Sequence, residues 1–210
     1  ELSAMEKILL ALNERTETKA SFLPILMIDL KDITQDEGVS KAYMHIRESV
    51  KLGSQYEWLG WLALQYPGVE IGIEKPYGEF SGCITAIEKF GKFKYDEDAM
   101  IVDQDASSDE CNKLFGNMRF PIADKTEKEM IENIKNWGYE DVMKNIWFCH
   151  APIKEQPCGM CRPCQQKMEC GMEFLLPKKS QKRYRIFSKI KNLFGENAAN
   201  ITKRICRRLI

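Results

Sequence analysis

Residues 149–164, CHAPIKEQPCGMCRPC, carry four cysteines in a short window, and their spacing decides how this part of the chain folds. Cys158, Cys161 and Cys164 follow a C-x2-C-x2-C pattern, and Cys149 precedes them by one short loop. A C-G-x-C turn lets two thiolates and two backbone amides converge on one metal ion, and Gly159 relieves crowding at the bend. One more pair of thiolates completes a tetrahedron. The window therefore predicts a closed metal site that holds structure and leaves no open position for chemistry.

Zinc is the ion that we predict at these cysteines, with two alternatives. An iron–sulfur cluster also uses C-x2-C-x2-C, but the ferredoxin run continues with x3-C-P, whereas Cys170 follows Cys164 at a longer interval and no proline comes after it. The other alternative is four unrelated structural cysteines. His150 is a competing ligand to Cys149, and we expect it in the loop beside the metal because four thiolates already close the site.

The composition is that of a folded chain. Of 210 residues, 44% are hydrophobic and 30% charged, which is enough to bury a core and excludes a disordered protein. No apolar run reaches the ~18 residues that a membrane span needs, and no signal peptide is visible. Clustered cysteines without a secretory signal favour metal ligation over disulfides, so we predict a cytoplasmic protein without a membrane partner.

The net charge of zero hides an asymmetry. Residues 177–210 carry eleven Lys or Arg and a single acid, Glu196, which gives +10 and leaves −10 on residues 1–176. Apolar residues recur along this basic segment at helical spacing. We expect a basic amphipathic tail that either packs on the acidic body or reaches an acidic surface or a protein partner.

Hydrophobic periodicity gives a coarse secondary structure. Residues 2–12 have one apolar helical face, 22–30 (FLPILMIDL) predict a buried strand, 41–65 a helical stretch, and 69–73 (VEIGI) a second buried strand. Residues 92–118 are polar and predict irregular surface loops. Short apolar strands that alternate with helices indicate an α/β fold with a parallel sheet.

The stretch after residue 120 has clear helix signals. Thr126 and Glu129 form a capping box at a helix start, and Gly138 is a natural C-terminal stop. A short second helix is expected before Trp147.

The order W-F-C-H, then P-C-G-M-C-R-P-C, at residues 147–164 resembles the zinc site of 7-cyano-7-deazaguanine synthases, ATP-pyrophosphatase-type ligases of the queuosine pathway. The preceding FPIADKTEKEMIENIKNWGYEDVMKNIWFC, residues 120–149, follows the same family pattern. The likeness is specific over 119–172 and weaker upstream, where Gly53-Ser54-Gln55 stands in place of the family's Gly-Arg-Asn turn.

The resemblance implies a Rossmann-like, nucleotide-hydrolase-like parallel-sheet core over 1–118, a small zinc ribbon over 119–176, and the basic tail over 177–210. The family's ATP-binding loop, Ser-Gly-Gly-x-Asp-Ser, is absent from the sequence, so we expect a core that is incomplete at its N-terminus, with that loop cut off or supplied by another chain. The departures are typical of a divergent relative, of the kind found in antiphage defence.

The function that the resemblance implies is ATP-dependent ligation on a 7-deazapurine, with ATP and Mg²⁺ as cofactors if the missing loop is present, structural Zn²⁺, and a homodimer. Nitrile formation and conjugation of the base to an acceptor are both open, and no catalytic residue is assigned. The alternative is a non-catalytic, zinc-containing partner protein with a degenerate synthase fold that docks a protein or nucleic acid through its tail. The residues expected at the substrate and nucleotide pocket are Gly53, Ser54, Gln55, Cys83 and Arg119.

Overall fold

The computed structural model describes residues 1–75 and 82–208, so the end of the predicted tail at 209–210 lies outside the described residues. The chain divides into two compact units, one of Glu1–Phe22 with Glu132–Ile210 and one of Leu23–Ile131. We call them the cysteine unit and the sheet unit. The division of the sequence into 1–118, 119–176 and 177–210 stays a prediction.

The structure is mostly helical. Short 3-10 turns lie at Leu30–Asp32, Gln104–Ala106 and Glu173–Leu175. Among the described residues none of the helices combines the length and the hydropathy that crossing a bilayer requires. The helices are α1 Leu2–Asn13, α2 Glu37–Ser49, α3 Gln55–Gln65, α4 Cys83–Phe90, α5 Asp109–Phe115, α6 Glu127–Asn136, α7 Glu140–Met143, α8 Arg162–Glu169 and α9 Lys178–Arg208.

The sheet unit contains a mixed four-stranded sheet with the order β1-β4-β3-β2. β1 pairs parallel with β4 in the register Val69↔Met118, whereas β4 with β3 and β3 with β2 pair antiparallel. The fold is therefore mixed α/β, as predicted at that level, but within residues 1–75 and 82–208 only the pair β1–β4 is parallel. The strands are β1 Val69–Glu70, β2 Phe93–Asp96, β3 Ala99–Val102 and β4 Met118–Phe120.

Helix α2 organises the core of the sheet unit. Asp36 caps its start by accepting a hydrogen bond from the Val39 amide at 2.8 Å. Apolar residues then recur at i, i+3, i+4 and i+7, which places them on the face that packs against α5 and α3. The approach of α3 is close, because a Cβ on Gly60 would lie 2.6 Å from a Val39 methyl. The buried residues of α2 are Val39, Ala42, Tyr43 and Ile46.

The cysteine unit has two parts. In one, α1 packs on α7, where the Arg15 guanidinium lies 4.3 Å from the centre of the Tyr139 ring and pairs with Asp141 at 2.9 Å. In the other, α8 packs on α9 around the buried cysteines. Helix α9 is interrupted at Gly195, whose φ of 81° is not helical.

Several predicted elements are confirmed. Residues 2–12 fall in α1, and the short helix before Trp147 is α7. The capping box begins α6, where Thr126 Oγ1 accepts from the Glu129 amide while Glu129 accepts from Thr126. Gly138 ends α6 with a φ of 71°.

The predicted buried strand at 22–30 is wrong. Residues 23–29 have no regular structure, and Leu23 is 86% exposed. The apolar composition of this segment matched a buried strand, but Pro24 has no amide to donate to a ladder. A strand also needs a partner, and the sheet of the described residues is complete with β1 to β4.

Three further predictions need correction. The helical stretch at 41–65 is two helices, separated at 50–54. The segment 92–118, predicted as irregular, contains β2, β3, α5 and the start of β4. A few buried residues in β3 and α5 carry its packing, and the polar composition of the segment as a whole did not reveal them. The expected zinc ribbon is an irregular loop with an isolated antiparallel bridge, Ile153↔Gln156, followed by α8.

Candidate metal centre

Four buried cysteine sulfurs come together in the cysteine unit. The Sγ atoms of Cys149, Cys158, Cys161 and Cys164 all lie within 4.8 Å of one another. Cys158 Sγ is 3.9 Å from Cys164 Sγ, and Cys161 Sγ is 3.8 Å from Cys149 Sγ. These are the four ligands predicted from the sequence, and together they could hold a metal ion such as zinc.

The sulfur separations fit a single tetrahedral ion. A Zn–S bond of about 2.3 Å in a regular tetrahedron puts neighbouring sulfurs about 3.8 Å apart. A disulfide needs about 2.05 Å, and the four cysteines are free. A multi-iron cluster sits between its thiolates and would hold them further apart than the edges of a one-ion tetrahedron. The geometry therefore favours a single metal ion over disulfide bonds and over an iron–sulfur cluster.

Backbone amides point at the sulfurs. Cys158 Sγ accepts hydrogen bonds from the amides of Met160, at 3.3 Å, and Cys161, at 3.2 Å. Cys149 Sγ accepts from the Cys158 amide at 3.2 Å. Donors directed at sulfur stabilise negative charge on it, so the turn is built for thiolates.

The electrostatics of Cys158 follow from these contacts. Hydrogen bonds from the thiols of Cys161 and Cys164, and then from the amides of Met160 and Cys161, hold the pKa of Cys158 well below its usual range, against burial. Burial has the larger effect on Cys149 and raises its pKa. Binding of a cation requires thiolates and displaces protons that the sulfurs carry.

The start of α8 supplies the second half of the site. Cys161 occupies the N-cap position, Pro163 lies in the first turn, and Cys164 follows it on the helix. Proline is suited to this turn because its missing amide would have no helical partner there. The positive end of the helix dipole favours thiolates at these positions.

Helix α9 packs directly against the cysteine turn. The Ser180 hydroxyl donates to the Pro157 carbonyl, and Arg183 donates from Nε to the Cys158 carbonyl at 2.8 Å. A Cβ on Gly159 would lie 2.1 Å from the Ser180 carbonyl oxygen, and Gly159 has a φ of 79°. Only glycine satisfies both conditions, so the turn and the helix are fitted to each other.

Ser180 and Arg183 were missed by the sequence reasoning. They lie within a run of basic residues, and nothing in the sequence distinguishes Arg183 from its neighbours. His150 is exposed and is not one of the four clustered ligands, in agreement with its expected place in the loop.

The predicted pocket residues of the sheet unit fall in two places. Gly53, Ser54 and Gln55 lie at the start of α3, and Cys83 is the first residue of α4. These two helix starts are linked, because the Gly82 amide donates to the Lys51 carbonyl at 3.0 Å. Burial, followed by the neighbouring Cys111, raises the pKa of Cys83 well above its usual range. Cys83 is therefore a neutral, buried thiol.

Arg119 lies on β4 and is engaged elsewhere. Its guanidinium pairs with Asp96 and, at 3.2 Å, with Asp98. The hydrogen bond to Asp96 is the main reason that the pKa of Arg119 is raised. Two carboxylates thus neutralise the cation that was expected to face a nucleotide.

No family model matches this chain, and neither curated proteins nor solved structures provide a match.

Proposed function

We propose that the chain binds one zinc ion through Cys149, Cys158, Cys161 and Cys164, and that the ion holds the cysteine unit together. The observation that carries this proposal is the set of four buried sulfurs within 4.8 Å of one another. Four thiolates leave no position for water or substrate, so the ion stabilises the fold and takes no part in a reaction.

The activity that we propose is that of a cytoplasmic ATP-dependent ligase of the 7-cyano-7-deazaguanine synthase type. Support comes from the order of residues over 119–172, in which a capped helix leads to the clustered cysteines. In this chemistry a carboxylate oxygen of 7-carboxy-7-deazaguanine attacks the α-phosphorus of ATP and pyrophosphate leaves. Ammonia then attacks the carbonyl carbon and AMP leaves, which gives the amide. A second ATP adenylates the amide oxygen with loss of pyrophosphate, and AMP leaves again as the nitrile forms. In a divergent member serving antiphage defence, a protein amine would take the place of ammonia.

The proposed substrate side of the site is the pair of helix starts in the sheet unit. The first amides of a helix have no intrahelical partner and suit a phosphate or a carboxylate. At the start of α3 the Tyr56 and Glu57 amides already donate to nearby carbonyls, so the start of α4 has the larger part in this proposal. Gly53 to Gln55 supply the first turn, and Cys83 forms a small, neutral wall. The proposal includes ATP and Mg²⁺ as cofactors and a homodimer as the assembly. Arg119 would take part only if it left its carboxylate partners, Asp96 and Asp98.

Two measurements test the proposal. Elemental analysis of purified protein should find about one zinc per chain, and a protein free of metal would end the metal assignment. Incubation with ATP, ammonia and 7-carboxy-7-deazaguanine should release pyrophosphate and AMP. Metal-containing protein that releases neither, with ammonia or with an amine acceptor, would rule out the ligase.

The second candidate is a non-catalytic partner protein with a degenerate synthase fold. The observation that favours it is the exposure of several cations on α9 without ion partners among the described residues. Such a surface suits a negatively charged partner. It requires no ATP-binding loop.

A further inference from the structure

Helix α9 carries a row of cations on its solvent side. The four side chains are spaced i, i+4, i+7 and i+11, so they fall within about 60° of one another around the helix and extend along about 16 Å of it. All four are exposed. We call them the cationic row: Lys178, Lys182, Arg185 and Lys189.

The charges of the cationic row are not neutralised within the described part of the chain. None of its members forms an ion pair there, whereas Lys191, on another face of α9, pairs with Glu196 at 3.0 Å. Four like charges on one helix face repel one another. This repulsion lowers the stability of the chain on its own, and binding of an external anion would relieve it.

The opposite face of α9 is fixed to the cysteine turn. Phe187, about 170° from the centre of the row, is 2% exposed and belongs to the buried cluster around the cysteines. Ser180 and Arg183 donate to the carbonyls of the turn. The turn therefore sets the direction in which the row points.

We infer that the cationic row binds the phosphate backbone of double-stranded nucleic acid, in a manner that depends on the metal centre. This rests on the metal centre of the proposed function and names the partner of its second candidate. Duplexes carry about one charge per 1.7 Å of axis, so a rigid line of cations about 16 Å long meets a dense, regular line of phosphates. The contacts read no bases, and binding is independent of sequence.

Two other occupants fit less well. Single-stranded nucleic acid is held by aromatic side chains on which bases stack, and the row contains none. A helix that lies in a bilayer surface buries a broad apolar face there. On α9, Phe187 is packed inside the protein, and the exposed apolar side chains include Ile186, Leu193 and Phe194, so vesicles with anionic lipid are one arm of the test. A polyanion that contacts only the charged row requires neither feature.

The test compares two triple variants of the full chain in binding to a 20-base-pair DNA duplex. One removes three charges of the row, as Lys182→Gln, Arg185→Gln and Lys189→Gln. The matched control removes three exposed cations elsewhere, as Lys19→Gln, Lys92→Gln and Lys128→Gln. Four phosphate contacts predict a slope of about −3.6 in log affinity against log salt, which is about a hundredfold between 50 and 200 mM. The row variant should bind at least about a hundredfold more weakly at low salt, and the control should bind like the wild type.

Equal loss in both variants, or no binding by metal-containing wild type, would overturn the row as a duplex site while leaving the metal centre intact. Tighter binding to a single strand, to polyglutamate or to vesicles with anionic lipid would overturn the choice of partner. Removal of the metal with a chelator should weaken duplex binding at least tenfold, and added zinc should restore it. Row-dependent binding by a protein shown to contain no metal would instead refute the metal centre and the coupling.

Discussion

The two units bury cysteines for different physical ends. In the sheet unit, Cys83 and Cys111 are packed with apolar side chains of the core, and burial raises the pKa of both thiols. In the cysteine unit, four equally buried cysteines face one another, and amides donate to their sulfurs. The same residue type at the same burial is a small hydrophobe in one place and a candidate metal ligand in the other.

The direction of nearby donors, more than burial, separates these roles. Hydrogen bonds from the thiols of Cys161 and Cys164, followed by two amide hydrogen bonds, lower the pKa of Cys158 in spite of burial. The pKa of Cys83 is instead raised, first by burial and then by the charge of Cys111. The comparison predicts that the cysteine unit depends on its sulfurs and the sheet unit does not.

The largest expected effect is that of Cys158→Ser. The variant loses a thiolate that the ion needs, so metal content should fall from about one per chain to near zero. The cysteine unit would lose a binding free energy on the order of 10 kcal/mol. Elemental analysis and the near-ultraviolet circular dichroism of the purified variant are the measurements.

The matched control is Cys170→Ser. Cys170 is a half-buried cysteine of the same unit that does not belong to the clustered set. This variant should keep its metal. Equal metal content in both variants would contradict the assignment of Cys158 as a ligand.

The next effect separates a close contact from backbone strain. Gly159 and Gly171 have nearly the same φ, 79° and 78°, but a Cβ meets the Ser180 carbonyl oxygen only at Gly159. Gly171→Ala should therefore cost about 1 kcal/mol of unfolding free energy from strain alone. Gly159→Ala should cost about 3 kcal/mol or more, because α9 must move away from the cysteine turn. Chemical denaturation measures both, and equal losses would mean that the fit between turn and helix is unimportant.

The sequence predicted the cysteine centre better than the sheet. Ligand spacing is a local property, and C-x2-C-x2-C limits where thiolates can go whatever the rest of the chain does. The capping box of Thr126 and Glu129 is local in the same way. Both could be read without knowledge of the fold.

Tertiary features escaped prediction. The apolar run at 22–30 has the composition of a strand, but strand formation depends on a partner elsewhere in the chain, and composition does not reveal one. The polar segment 92–118 forms most of the sheet because a few buried residues, such as Val102 and Phe115, carry its packing. The role of Arg183 depends on a contact across 25 positions of sequence.

Alkaline pH should affect the two units in opposite directions. Burial raises the pKa of Cys111 from 9.0 to about 11, so the unfolded chain loses this proton first. The contribution of Cys111 to stability is full below pH 9.0 and disappears as pH rises through about 11. Metal binding by the cysteine unit is favoured over the same range because it requires thiolates.

Urea denaturation across this pH window, followed with and without Cys111→Ala, tests the sign. The variant should lose about 1 kcal/mol of unfolding free energy near neutral pH. Its unfolding free energy should then decline less than that of the wild type between pH 9.0 and about 11. An identical decline in both proteins would show that another group causes it.

The smallest effect concerns how the two units satisfy backbone amides. In the cysteine turn, buried sulfurs accept hydrogen bonds from backbone amides, whereas at the start of α6 the side chains of Thr126 and Glu129 form the cap. The Thr126 amide, followed by its hydroxyl, lowers the pKa of Glu129. The carboxylate thus contributes stability above its unfolded pKa of 4.5, and this is lost as pH falls through the lower folded value. Glu129→Gln should lower Tm slightly at neutral pH and leave it unchanged at acidic pH where wild-type Glu129 is protonated. The loss of stability should be small because solvent can replace an exposed cap, whereas it cannot replace a buried contact. A larger loss of stability in Glu129→Gln than in Gly159→Ala would contradict this ranking.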